Sequence, residues 1–118
     1  MPRIILANFL LLVFLSLSGS VAAQEPKRVI EVHAHRYAFE PSSITVHRGE
    51  TVELRLISDD VPHSLLIKGL GINEEASKSH PGDITFKATQ TGDFAGRCGR
   101  FCGSGHGHMQ FTVHVTGD

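Results

Sequence analysis

"SITVHRGETVELRLIS" (residues 43–58) alternates on both sides of a glycine. Ile44 and Val46 come before the turn residues 47–50, and Val52, Leu54 and Leu56 come after, separated by Glu53 and Arg55. A period of two puts the apolar side chains on one face of an extended chain and the charged ones on the other. With Gly49 in the turn, the expected arrangement is a β-hairpin with one face apolar and one solvated.

The neighbouring segments read the same way. "VIEVHAHRYAFEP" (residues 29–41) has an imperfect period, but its β-branched and aromatic content predicts a strand, stopped by Pro41 and Ser42. "SDDVPHSLLIKGLGI" (residues 58–72) holds a short apolar run, Leu65 to Ile67, between a proline and two glycines. "NEEASKSHPGD" (residues 73–83) is polar and irregular, the pattern of a surface loop. In "ITFKATQTGDFAGRC" (residues 84–98) a strand over 84–88 is followed by a turn at Gly92–Asp93 and a strand running into Cys98. "MQFTVHVTGD" (residues 109–118) sets Met109, Phe111, Val113 and Val115 on one side and Gln110, Thr112 and His114 on the other. No segment has a helical period. Seven or so short strands punctuated by turns predict an all-β fold, a β-sandwich.

The chain has 118 residues, enough for one domain. Its start has the pattern of an export signal. Arg3 is the only charge before Glu25, residues 4–17 are mostly apolar, and Val21 and Ala23 stand where signal peptidase prefers small residues. The expected organisation is a signal peptide over residues 1–23 and a single domain over 24–118, periplasmic or secreted. The competing reading is an uncleaved anchor, but the apolar run is shorter than the roughly 20 residues a spanning helix needs. Residues 1–23 contain one of the 11 basic residues and none of the 12 acids, so the domain carries a formal charge of −2 (10 against 12). That balance offers no footprint for nucleic acid and none for an anionic membrane surface.

Both cysteines of the chain, one of its two methionines and two of its eight histidines fall within "CGRFCGSGHGHM" (residues 98–109). Export implies an oxidising compartment, so a Cys98–Cys102 disulfide is one reading. It leaves His106 and Met109 unexplained. A metal site uses all four. Thiolate, thioether and imidazole together select copper. Zinc has little use for Met109, and iron–sulfur clusters want four thiolates. His63, at the end of the best-formed strand and just after Pro62, is the candidate for a further imidazole. Two thiolates bridging two coppers, with one imidazole and one weak donor on each, would take up Cys98, Cys102, His63, His106 and Met109. A backbone carbonyl between the cysteines would complete the set. "HGHM" also offers His108, but two residues apart on an extended segment the imidazoles point to opposite faces. His33 and His35 could share a strand face and are expected to be a solvated pair; His47, His80 and His114 occupy turn, loop and solvent-facing positions.

The pattern C-x3-C-x3-H-x2-M, with D-x2-H upstream, resembles the binuclear copper A motif of the cupredoxin domain of cytochrome c oxidase subunit II, also found in nitrous oxide reductase. The matching residues are Cys98, Cys102, His106 and Met109, with Asp60 and His63. "YAFEPSSITVHRGETVELRL" (residues 37–56) resembles that domain's opening strands and "FCGSGHGHM" (residues 101–109) its ligand loop, so the likeness covers about residues 29–116. It implies a cupredoxin-like Greek-key sandwich with two coppers per chain. It selects His106 over His108 and makes Arg100, where the family commonly has glutamate, the carbonyl donor. Asp60 would hydrogen-bond near the ligands. The implied function is one-electron transfer with a redox protein partner, a cytochrome c or an oxidase, rather than catalysis by the chain alone. The alternative is a copper-transfer protein that uses the same ligands and a copper chaperone as partner. Membrane association would follow only from an uncleaved signal. The chain departs from the family in lacking the preceding transmembrane hairpin and any tryptophan, and Leu65 and Leu66 follow Ser64 where an aromatic is common. A stand-alone exported carrier is therefore expected. No G-x-S-x-G, H-E-x-x-H or glycine-rich phosphate loop points to a hydrolase.

Overall fold

The computed structural model describes residues 18–19 and 27–117. The expected signal or anchor lies outside the described residues apart from Ser18 and Gly19. Among the described residues nine strands form two sheets: β1 (Lys27–His35), β2 (Ala38–Glu40), β3 (Ser43–His47), β4 (Thr51–Ser58), β5 (His63–Ile67), β6 (Ile72–Ala76), β7 (Gly82–Lys87), β8 (Gly92–Cys98) and β9 (Gln110–Thr116). One sheet has the order β2-β1-β4-β7 and the other β3-β9-β8-β5-β6. Two pairings are parallel, β1 with β4 and β3 with β9; the rest are antiparallel. The chain changes layer repeatedly, as a Greek-key sandwich requires. No described helix is long and apolar enough to cross a membrane.

Residues 43–58 do form two strands about a turn, with Gly49 at φ 90°, where glycine carries no steric cost. They do not form the expected hairpin. β3 pairs with β9 in one sheet and β4 with β1 and β7 in the other, so the turn is an arch between layers. Each strand has one apolar face, and an arch lets the two faces meet across the core instead of lying side by side. The arch's backbone groups find partners outside it: Arg48 N–H donates to Thr116 O (2.8 Å), Gly49 N–H to Ala88 O (2.6 Å), and Glu50 O accepts from Ala88 N–H (2.9 Å).

Two further expectations are corrected. Residues 29–41 are two strands rather than one, because the chain turns at Arg36–Tyr37 and β2 folds back on β1 with His33 opposite Glu40. The segment read as a surface loop from residue 73 begins with β6, an edge strand whose exposed Asn73 and Glu75 meet solvent while Ile72 and Ala76 are buried. A strand paired on one side only needs few apolar residues, which is why its composition resembled a loop.

The core fills the space between the sheets. Val32, Ala34, Phe39, Val52, Leu54 and Leu56 come from one sheet; Ile44, Val46, Leu65, Ile67, Phe111 and Val113 come from the other. Phe39 and Phe111 meet edge to face across the layers, with ring centroids 6.0 Å apart at 70°. The solvent side of β1 carries His33, whose two ring nitrogens lie 2.8 Å from Asp59 Oδ1 and 2.7 Å from Glu31 Oε1. On this solvated face it is also ion-paired.

Two predictions follow from this packing. Phe39→Ala removes one ring of the interlayer pair and is expected to cost about 3–5 kcal/mol in denaturant unfolding of the reduced, metal-free protein. The hydrogen bond to Asp59, then that to Glu31, raises the His33 pKa above its ordinary 6.5. A raised value means that this interaction stabilises the fold fully below pH 6.5 and is lost as the pH climbs through the folded pKa. An NMR titration of the ring should therefore show a midpoint above 6.5 that moves down in Asp59→Asn.

Candidate metal centre

One end of the sandwich departs from the apolar rule. Among the described residues the buried polar side chains are Ser58, His63 and Ser64, and all three lie at the junction of β4 and β5. The thiols of Cys98 and Cys102 are buried beside them and are not bonded to each other.

The strand register builds this junction. β5 pairs with β8, with Leu65 opposite Cys98, so His63 stands just past the cysteine on the same inner face. The last residues of the β8–β9 ladder are Arg97 and Gln110, and one more bond, Cys98 N–H to Met109 O at 3.2 Å, closes the loop at its base. Gly99 N–H donates to Ser64 Oγ at 2.9 Å, which fastens the start of the loop to the residue after His63. Inside the loop a 3-10 turn over His106–His108 directs His106 inward and leaves His108 exposed.

The six predicted donors converge in two matching halves. Cys98 Sγ lies 3.9 Å from His63 Nδ1 and 3.1 Å from Arg100 O. Cys102 Sγ lies 3.7 Å from His106 Nδ1 and 3.4 Å from Met109 Sδ. The two sulfurs are 4.0 Å apart. Donor atoms of His63, Cys98 and Cys102 all fall within 4.8 Å of one another, and all three residues are buried. Metal–sulfur bonds of about 2.3 Å and metal–imidazole bonds of about 2.0–2.1 Å put two donors on one ion within about 4.4–4.6 Å of each other, and the His63–Cys98 and Cys98–Cys102 separations of 3.9 and 4.0 Å lie inside that limit.

Charges around the centre are arranged by the loops. His63 Nε2 is 2.7 Å from Asp60 Oδ1, which leaves Nδ1 facing Cys98. Burial alone would raise the Asp60 pKa, but N–H groups of Arg36 and Val61 and the His63 ring hold it at about 2. Burial, and then the neighbouring Cys98, push the Cys102 thiol up to about 11, with Arg36 pulling against them. The Cys102 thiol therefore holds its proton, which a bound cation would displace. The Arg100 side chain turns outward and pairs with Glu75 on β6.

Two residues that sequence reasoning passed over complete the pole. Arg36 Nε donates to Cys102 O at 2.9 Å, and the Tyr37 ring lies against Gly103 and Gly105. The one available sign was the run of glycines, which marks a place where another group comes close. Gly105 has φ −90°, open to any residue, so the Tyr37 ring is what requires glycine there. Gly105→Ala is expected to destabilise the protein by about 1–3 kcal/mol. The double variant with Tyr37→Ala should lose less than the sum of the two single losses in the same unfolding measurement.

Comparisons with known proteins agree with the geometry. The model of the cupredoxin-like domain family matches residues 6–111. A cytochrome c oxidase subunit 2 of Thermus thermophilus is 27% identical over 86 residues, 73% of this chain and 64% of that one. The chain spans 51% of a second Thermus thermophilus subunit 2. A chain of a heme-copper terminal oxidase dimer superposes with a TM-score of 0.69 at 27% identity, covering 75% of this chain and 65% of that one. The periplasmic domain of subunit II of the Bradyrhizobium japonicum cytochrome oxidase shares the fold, with a TM-score of 0.70 at 19% identity over 80% of this chain and 89% of that one. With the family model matched over residues 6–111, the chain belongs to the cupredoxin-like family.

Proposed function

We propose that the chain is a copper A-type electron carrier, with His63, Cys98, the Arg100 carbonyl, Cys102, His106 and Met109 as the ligands. The observation that carries this reading is the duplication of donors. Each buried thiol has its own imidazole and its own weak donor, and the two sulfurs stand between the halves. A single ion held by His63, Cys98 and Cys102 would leave His106, Met109 and the Arg100 carbonyl idle.

These six residues would hold the copper, which would supply one-electron chemistry when bound. The protein's own part is to keep the donors' geometry. Asp60 fixes the tautomer of His63, and Ser64 and the Cys98–Met109 ladder bond hold the loop. Burial of both thiols keeps water from the sulfurs, and the weak donors and hydrogen bonds are the means of setting the potential. With the site closed by protein groups, the chain transfers electrons and does not transform a substrate. The resemblance to oxidase subunit II supports a redox protein partner, a cytochrome or an oxidase. Export through residues 1–23, with the domain over 24–118 working in the periplasm, agrees with the periplasmic subunit II domain it resembles.

A second reading rests on His63, Cys98 and Cys102 alone, which form a compact three-donor group sufficient for one Cu(I) and its transfer. Copper analysis with absorption and EPR spectra, on protein loaded under reducing conditions and mildly reoxidised, separates the two. Two coppers per chain and a multiline EPR signal from an electron shared between equivalent nuclei support the carrier. One EPR-silent copper shifts the assignment to copper transfer, and no copper with no free thiols leaves a disulfide loop. Cys102→Ser is expected to abolish the binuclear spectrum. Met109→Leu should keep both coppers and shift the potential. An unchanged spectrum and stoichiometry in Cys102→Ser would sink the binuclear assignment.

A further inference from the structure

We propose that Arg36 is a positioning residue that locks the loop carrying Cys102 and His106 onto the loop carrying His63. It sits at the tip of the β1–β2 hairpin, in the sheet that supplies none of the six donors. Its backbone N–H donates to Asp60 Oδ2 at 2.8 Å, and the other oxygen of that carboxylate holds His63 Nε2 at 2.7 Å and Val61 N–H at 2.6 Å. Its guanidinium Nε donates to Cys102 O at 2.9 Å, a half-buried bond across 66 residues of sequence. One residue therefore joins both segments of the centre, and the adjacent Tyr37 supports the same loop at Gly103 and Gly105.

The loop has little else to hold its middle. Its own hydrogen bonds, His106 N–H to Gly103 O, His108 N–H to Gly105 O and Met109 N–H to His106 O, are all internal. Also internal are the Cys102 thiol's contacts with His106 and Met109 and the Phe101–His106 ring contact. Beyond these, among the described residues, the Cys98 thiol donates to Arg100 O and Arg100 pairs with Glu75. The first ends on a side chain of the centre itself. The second joins two exposed side chains and is screened by water and salt. Ser64 fastens only the Cys98 end. A charged donor on a half-buried carbonyl is a stronger restraint than either.

The consequence for copper rests on the carrier reading above; the hold on the loop does not. The test is hydrogen exchange of individual amides in the reduced, metal-free protein, compared among wild type, Arg36→Met and Arg36→Lys. Methionine keeps the apolar stem and removes the donor, and lysine restores a charged donor. Arg36→Met should speed exchange at the His106 and Met109 amides about tenfold or more while β4 and β9 keep their rates. Arg36→Lys should recover most of the protection. Unchanged loop rates in Arg36→Met overturn the proposal, and so does a uniform rise across both sheets, which would mean a merely structural role. If Arg36→Met does not fold, Arg36→Gln, with a shorter neutral donor, is judged by the same criterion. Copper loading of the same variants gives an independent second readout. Arg36→Met should alter the absorption spectrum at unchanged stoichiometry, and Arg36→Lys should restore it. A wild type that takes up no copper defeats the carrier reading, and the exchange rates still decide the role of Arg36.

Discussion

The backbone hydrogen bond from Cys98 N–H to Met109 O, 3.2 Å long, is the constraint on which the centre depends. It is the last step of the β8–β9 ladder, and it turns the intervening residues into a loop with a fixed base. Everything inside that loop inherits its position from the sheet. Because side chains alternate along a strand, Cys98, Met109 and Phe111 face the same interior as Leu65 and His63. The centre is therefore the polar end of the core, and its rigidity is that of packed strands. Loops held by such a scaffold are where a fold can place exacting chemistry at small cost to stability.

Bringing an imidazole and two thiols into that interior has an electrostatic cost, and the structure shows how it is met. His63 is fully buried but bonded to Asp60, and Asp60 in turn is stabilised as an anion by two backbone N–H groups. No described buried side-chain nitrogen or oxygen lacks a partner. The Cys102 thiol, raised by burial and by its neighbour Cys98, keeps its proton until something replaces it. The buried polar groups are thus satisfied as they stand, and the 3.9 Å from His63 to Cys98 and 4.0 Å from Cys98 to Cys102 are separations a soft cation could use.

The fold class was legible in the alternation of residues 43–58 and 109–118, since a period of two with one apolar face admits few other structures. What alternation does not encode is the partner of a strand. The turn at Gly49 has the same sequence signature in a hairpin and in an arch, and β3 and β4 proved to lie in opposite layers. β6 was hidden for the opposite reason: at an edge it buries only Ile72 and Ala76, and its remaining residues read as loop. At the candidate centre, clustering in sequence brought out the 98–109 loop, and the resemblance then chose His106 over His108. His63 needed the additional inference that two loops share a pole. Arg36 and Tyr37 gave no such sign, because an arginine and a tyrosine in a β-rich segment are ordinary until their distant partners are seen.

Position 100 shows how a binding set can outlast a change of side chain. Where the resemblance expects glutamate, the chain has arginine, a reversal of charge beside the centre. Cys98 meets only the carbonyl of that residue, at 3.1 Å, and a carbonyl is the same in both cases. The side chain points away and pairs with Glu75, on the edge strand that itself pairs with the strand bearing His63. The arginine thus adds a tie between the loop and β6, and its carbonyl stays where the turn between the cysteines puts it. A centre built partly from backbone can accept such a change because its geometry is set by the ladder and the turn.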